Sequence, residues 1–361
     1  VLEAALKPDI LKALAHTSAE NAAGMTFAVP KELVMHEFPQ QNIEDARVYA
    51  EETDMPLPET LNPNTRYAFF STIAKGGKSL IQSCRDLHLR RTVCYKTLRS
   101  EFINDPIENH RLLREARISA MLQHPNTIPT YELGRDNRGN YYFTMKLVHG
   151  YTLREVLDYR ERYDLTQLMD LMVQVARALG YAHSRGVVHR DIKPENILVG
   201  PYGEVLLMDW GLAKVWPKDS LSSDAAVGEA EIEAAATSAV LTGAGMTGEG
   251  KLQGTVMYMS PEQITRDPGI NAQSDWYSFG SVLYEVLTGV TPFQGERVQL
   301  LLDQIRNELP ADPRSVTKVR VPKVLSDLAM SCLQKDPLDR PTSADAVLRI
   351  LREGYWSSVG S

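Results

Sequence analysis

The sequence predicts an α+β chain in two lobes, a small one rich in strands and a larger helical one. Three observations carry this. Short β-favouring runs crowd residues 67–100, helical patterning dominates from about Leu153 onward, and between them stand a helix-period segment at 106–122 and a further strand, "YYFTMKLV". No internal repeat interrupts the order.

Taken from the start, residues 1–66 form a separate zone. "LEAALKPDILKALAH" has helical spacing of Leu and Ala, with Pro8 marking a break or a helix start, and the stretch ending "MPLPETLNPNT" reads as an extended lead-in. This extension is either a regulatory arm or a linker to another module. In residues 67–147, the small lobe, the strands are "YAFFSTIA", "SLIQSCRD" and "RTVCYKTL", separated by glycine or charged turns, followed by the helix "PIENHRLLREARISAML". Residues 148–356, the helical lobe, are interrupted by "VVHRDIKPENILV" at 187–199, by "EVLLMDWG", and by a stretch at 217–250 rich in Ala, Gly, Ser and Glu. That last composition buries little apolar area and predicts a long loop.

The bulk properties exclude several classes of function. With 361 residues the chain can bury a sizeable core, and its 43% hydrophobic and 24% charged residues are those of an ordinary globular protein. A formal net charge of −7 argues against a nucleic-acid binder. The cysteines Cys84, Cys94 and Cys332 have neither disulfide nor metal-ligand spacing and read as free thiols of a reducing compartment. No window of 18 apolar residues predicts a membrane span. The chain begins at Val1 and reads as a fragment, which leaves open an anchor outside it. The expected location is the cytoplasm, either as a free protein or as the cytoplasmic part of a larger membrane-anchored one.

The polar stretch at 187–199 sets the chemistry. Transfer of a phosphoryl group from ATP to a hydroxyl asks a protein to position the nucleotide, hold Mg²⁺, orient the hydroxyl and offset the phosphate charge. Asp191 is a carboxylate for the hydroxyl. Asn196, five residues on, and Asp209 in "MDWG" are hard oxygen ligands for Mg²⁺ (or Mn²⁺). Lys96, on the strand "VCYK", is a cation for the phosphates, and Glu115, in the helix "LLREARIS", can tether it. Lys193, two residues past Asp191, can reach the transferring phosphate.

Here the chain resembles a family. "HRDIKPEN" matches H-R-D-x-x-x-x-N, "DWG" matches D-F-G with Trp for Phe, and "SPE" at 260–262 matches A-P-E. "HPN" (124–126), "GTVMYMSPEQ" (254–263), "SDWYSFGSVLYEVLTGVTPF" (274–293) and "DPLDRPT" (336–342) follow in the family's order over roughly residues 67–355. The chain is therefore similar to the eukaryotic-like Ser/Thr protein kinases, especially those of bacteria. The resemblance implies a two-lobed protein-kinase-like fold with ATP and Mg²⁺ in the cleft. It implies Asp191 as catalytic base, Lys193 beside it, Lys96 and Glu115 as the ion pair, and Asn196 and Asp209 as metal ligands. Asp275 would brace the catalytic loop, and Glu262 with Arg340 would form a structural salt bridge. Around the nucleotide it implies Ile73, Ala74, Gly76, Ser79, Ile81, Cys94, Lys96, Met145 as gatekeeper, Lys146 and Val148 in the hinge, and Leu198. "KPEN" and Thr255 are what the Ser/Thr branch shows. Protein substrates are the implied partners, and a homodimer would serve autophosphorylation.

Four departures stand out. The phosphate loop reads "AKGGKS", with Ala74 and Ser79 where G-x-G-x-x-G has glycine. Lys75 and Lys78 are either compensating charges beside the phosphates or solvated loop lysines. Lys146 takes a hinge position that is usually acidic, and Trp210 is bulkier than Phe but can pack against the helix bearing Glu115. The activation segment, from Asp209 to Glu262, is lengthened by the 217–250 insertion. Arg190 before Asp191 goes in this family with activation by phosphorylation, for which Thr247 and Thr242 are the candidate sites, ahead of Ser222 and Ser223. The alternative to an active enzyme is a pseudokinase acting as a nucleotide-binding or scaffolding module, which the altered phosphate loop favours and the full catalytic set opposes.

Overall fold

The structure, a computed structural model, describes residues 55–57, 65–215, 256–295 and 297–359. Most of the 1–66 extension, the 217–250 insertion, Ser222, Ser223, Thr242, Thr247 and Thr255 lie outside the described residues.

Five antiparallel strands form the first layer: β1 (Tyr67–Lys75), β2 (Ser79–Asp86), β3 (Arg91–Leu98), β4 (Thr130–Arg135) and β5 (Tyr141–Met145), in the order β1-β2-β3-β5-β4. The register sets Lys96 opposite Ile81 and Phe143, and Cys94 opposite Met145. Because side chains alternate along a strand, Cys94, Lys96 and Leu98 share one face while Val93 and Tyr95 share the other. On the second face Cys84, Val93, Tyr95 and Tyr142 form a cluster in which the Tyr95 and Tyr142 rings stack at 4.5 Å. Arg66 clamps the near end of the sheet, donating to Asp86 through Nε and Nη2 and reaching Glu132 with Nη1.

Helix α1 (Pro106–Met121) packs on the face that bears Lys96. Asp105 starts it by accepting from the N–H groups of Ile107 and Glu108, with Pro106 in the first turn where no N–H is missed. The 3.6-residue period puts Leu112, Glu115, Ala116 and Ser119 on one buried stripe. Leu112 and Ala116 pack with Leu98 and Phe143. Burial of one such leucine is worth about 2 kcal/mol, and it is this apolar contact that brings Glu115 to the strand.

The helical part follows: β6 (Tyr151–Thr152), α2 (Leu153–Leu157), α3 (Leu165–Ser184), β7 (Val187–Val188), β8 (Ile197–Val199), β9 (Val205–Leu207), β10 (Lys214–Val215), α4 (Pro261–Thr265), α5 (Ala272–Thr288), α6 (Val298–Asn307), α7 (Pro313–Val316), α8 (Lys323–Cys332) and α9 (Ala344–Val359). Capping boxes start α2 at Thr152, α3 at Asp164 and α4 at Ser260. Helix α5 is buried from Ser274 through Leu287, the pattern of a helix surrounded by others, and it ends at Gly289, whose φ of +82° a Cβ would disfavour. The interruptions at 187–199 and in "EVLLMDWG" contain short strands. β8 and β9 form a hairpin, β6 pairs β8, and β7 pairs β10. The hairpin makes the residues just before β8 and just after β9 neighbours, and Met208 N–H donates to Asn196 O at 2.9 Å. The two ends of the hairpin thus deliver their polar residues to one place.

Candidate active site

The loop between β7 and β8 is shaped by a buried carboxylate. Asp275, in the first turn of α5 and fully buried, accepts the backbone N–H of His189 at Oδ2 and of Arg190 at Oδ1, each at 2.8 Å, and bonds His183 Nε2 at 2.8 Å. Burial alone would raise the Asp275 pKa, but the His183 bond and the nearby backbone donors hold it low. The clamp matters because Arg190 adopts φ of +68°, an unfavourable angle for a side chain of this size. His189 is buried as well. Its Nδ1 accepts from Asp191 N–H at 3.2 Å, so the hydrogen sits on Nε2, which donates to Met208 O at 2.9 Å. The ring packs against Trp210 at 4.5 Å.

Asp191, Lys193 and Asn196 form one cluster. Lys193 Nζ lies 2.9 and 2.7 Å from the two Asp191 carboxylate oxygens. Asn196 Nδ2 donates to Asp191 Oδ2 at 2.8 Å and to its carbonyl at 2.7 Å, which leaves Oδ1 as the amide's acceptor end. Burial lowers the Lys193 pKa, but Asp191 and the more distant Asp209 outweigh it and keep the ammonium charged.

Asp209 follows β9 in the left-handed region, φ +61° and ψ +72°, a conformation that aspartate tolerates better than most residues. Its side chain is open to solvent yet walled by protein. The wall disfavours the anion, but Lys96 and then Lys193 outweigh it and hold the pKa below the usual carboxylate range. Lys96 Nζ meets Glu115 Oε1 at 2.5 Å in a buried pair. Desolvation opposes the ammonium, while Glu115 and then Asp209 stabilise it, and the net shift is upward. The Trp210–Leu212 turn lies against α1, with Arg114 Nε donating to Ala213 O at 3.2 Å, while the buried Trp210 ring meets His189. Its indole Nε1 is buried with no hydrogen-bond partner.

The residues expected to line the nucleotide lie on several elements. Ile81 and Cys94 lie on β2 and β3, Met145 ends β5, Lys146 and Val148 follow it, and Leu198 lies on β8. Leu198 is half-buried between the buried Ile197 and Val199, and Ile73 on β1 is exposed. Ala74 and Ser79 both have negative φ, so neither is strained by its Cβ. Gly76 is the tight position: its N–H donates to Ser79 O at 2.9 Å, and an added Cβ would lie 2.9 Å from Ser79 Oγ. The altered loop keeps glycine at this crowded position.

The donor set suits a hard cation shared with phosphates. Asp209 and Asn196 offer one carboxylate and one amide oxygen, and among the described residues no three His, Cys, Asp or Glu gather into a metal cage. Such a sparse set of oxygen donors fits Mg²⁺, which Asp209 and Asn196 would hold.

Below the site, Glu262 of α4 and Arg340 are joined by two bonds of 2.6 and 3.0 Å. Arg340 also donates to the carbonyls of Gln273, Gln334 and Lys335, and Ser274 Oγ donates to Glu262. Sequence reasoning missed a second network. Arg154 of α2 bonds Glu285 at 2.6 Å, Glu195 at 3.1 Å and Tyr258, while Tyr258 donates to Glu285 at 2.5 Å. Glu195, Tyr258 and Glu285 lie inside the motifs quoted above, but no spacing there joins them to Arg154. Lys78 faces neither phosphate nor open solvent alone but pairs with Glu108 of α1.

Comparison with known proteins agrees with this geometry. A family model described as protein kinase domain matches residues 67–350. The serine/threonine-protein kinase PknD of Protochlamydia amoebophila (strain UWE25) is 33% identical over 313 residues, covering 83% of this chain and 30% of that protein. Pkn3 of Myxococcus xanthus, a serine/threonine-protein kinase, is 32% identical over 286 residues, 78% of this chain and 48% of its own length. The serine/threonine-protein kinase PrkC of Bacillus subtilis (strain 168) is 31% identical over 281 residues, 78% and 39%. The chain thus spans less than half the length of each of these relatives.

Proposed function

This chain belongs to the protein kinase family, and from that premise we propose that it transfers the γ-phosphate of ATP to serine or threonine hydroxyls of protein substrates. The observation that supports this most is the convergence of Asp191, Lys193 and Asn196 in one hydrogen-bonded cluster, with Asp209 and Lys96 coupled to it electrostatically.

In this reading the acceptor hydroxyl approaches Asp191, which takes its proton as the oxygen–phosphorus bond forms and the bond to the β-phosphate oxygen breaks. Lys193 gives up part of its contact with Asp191 to stabilise the transferring group. Lys96, steadied by Glu115, holds the other phosphates. Asp209 and Asn196 would hold Mg²⁺, which would supply positive charge to offset that of the phosphates. The apolar side chains of Ile73, Ile81, Cys94, Met145 and Leu198 would border the base, with Lys146 and Val148 offering backbone groups. Ala74, Gly76 and Ser79 cover the phosphates. Arg190 would pair with a phosphate placed on the activation segment by a second copy of the chain, with Thr247 and Thr242 as the candidate positions. Protein substrates come with the family. Among the described residues no helix is long and apolar enough to cross a membrane; cytoplasmic placement is part of the proposal.

The test is label transfer from γ-labelled ATP with Mg²⁺ to a basic acceptor protein, comparing the wild type with Lys96→Met. The wild type should label serine and threonine, and Lys96→Met should cut the rate about 10²-fold or more, the usual loss for one electrostatic contact to the reacting group. A wild type that binds ATP but labels nothing would replace this reading with a nucleotide-binding scaffold.

A further inference from the structure

Lys78 has a partner that the catalytic pattern does not assign. It ends the turn between β1 and β2, and that turn is fastened to the segment leading into α1. Arg99 N–H donates to Lys78 O at 2.9 Å, and Arg99 Nη1 donates to Gly77 O at 3.2 Å. The Lys78 ammonium lies 5.8 Å from the centre of the Phe102 ring and pairs with Glu108 in the first turn of α1.

Glu108 is buried, as is Glu115, seven residues later. Seven residues are close to two helical turns, so both carboxylates lie on the stripe facing the sheet. Two lysine–glutamate pairs therefore tie the sheet to one helix face: Lys96–Glu115 inside the site and Lys78–Glu108 at the helix start. Arg111 Nη1 also bonds Glu108, at 2.6 Å, so the carboxylate stays paired when Lys78 leaves it. Loss of Lys78 does not strand a buried charge, and an effect of its removal can be read as the loss of a tether.

We propose that Lys78 is a positioning residue, a latch that fixes the phosphate loop to α1 through Glu108 and so couples the loop's placement to that of Glu115 and Lys96. The proposal rests on the kinase reading of the same site. It also accounts for a loop that has lost two of its glycines: the turn is held from outside, by a side chain on a helix.

The experiment is a double-mutant cycle on the full chain with Lys78→Met, Glu108→Gln and the pair. Affinity is read by titrating a fluorescent ATP analogue with Mg²⁺, and the position of α1 by hydrogen exchange of the amides of residues 109–116. Each single change should weaken binding about 5-fold and speed exchange, and the double should be no worse than the weaker-binding single. Lys78→Arg, which keeps the pair, should restore both readouts. If Lys78→Met weakens binding while Glu108→Gln does not, or if the two effects multiply, Lys78 acts on the phosphates by itself and the latch is refuted. No change in either readout refutes it too. Neither readout needs phosphoryl transfer. A wild type that binds but does not transfer would thus sink the proposed activity and still leave the latch decided by the cycle.

Discussion

Asp191→Asn should lower phosphoryl transfer by about 10²- to 10⁴-fold, the range for removal of a general base, while leaving ATP–Mg²⁺ affinity within a few-fold of the wild type. Asparagine has the same shape, and its oxygen can still accept from Lys193 or Asn196, which reach the two carboxylate oxygens at 2.7 to 2.9 Å. The His189 ring, the Asp275 clamp and the backbone around Arg190 do not depend on the Asp191 charge, so the loop should keep its form. What disappears is an acceptor for the hydroxyl proton and the anion that faces Lys193. A freed Lys193 ammonium should hold the nucleotide phosphates at least as well, so the loss falls on kcat and not on nucleotide binding. Single-turnover transfer and equilibrium nucleotide titration on the same preparation separate the two. Full activity in the variant would remove Asp191 from the chemistry. Equal loss of binding and rate would mean that the loop had collapsed, and the thermal stability of the variant would show it.

The parts of this site that were legible in the sequence are those that act locally. Asp191, Lys193 and Asn196 lie within six residues, and their spacing is itself the geometry: a short loop before β8 folds its polar side chains onto one carboxylate. Asp209 could be tied to them only through strand pairing, because the β8–β9 hairpin is what brings the two segments together. Glu115 was legible as a helix residue, but its meeting with Lys96 depends on Leu112 and Ala116 packing against Leu98 and Phe143. Asp275, Glu262 and Arg340 carried no local sign of their work and entered through family resemblance alone. The Arg154–Glu285 pair spans 131 residues and has no periodic signature, so nothing in the sequence announced it. The phosphate loop shows the opposite difficulty. The loop departs from the motif at Ala74 and Ser79, whose backbone angles accept a Cβ, and keeps glycine at 76, where an added Cβ would crowd the Ser79 hydroxyl.

Arg340→Met should be the most destabilising single change, costing about 3–5 kcal/mol, the usual result of removing one partner of a buried pair. In the wild type the guanidinium bonds two carboxylate oxygens of Glu262 and three backbone carbonyls, so its donors are fully used. Methionine fills much of the volume but supplies none of these bonds. Glu262 is left buried with only Ser274 as a donor among its side-chain contacts. The fall in melting temperature should be roughly 5–10 °C for a chain of this size. Its pH dependence distinguishes a lost ion pair from lost packing. Burial raises the Glu262 pKa, but Arg340 outweighs it and the folded-state value lies below normal. The pair's contribution in the wild type is therefore present above the ordinary glutamate pKa and is lost as pH falls through the lower folded value. In the variant the sign reverses: burial without the cation raises the folded pKa, so the penalty is largest at high pH and is relieved as Glu262 takes a proton. The gap between the two proteins should narrow steadily from neutral pH towards about pH 4. A gap that stays constant across that range would assign the loss to packing and not to the charge on Glu262. Replacing both partners, Glu262→Leu with Arg340→Met, should recover part of the stability, because no ionised group then remains buried without a partner.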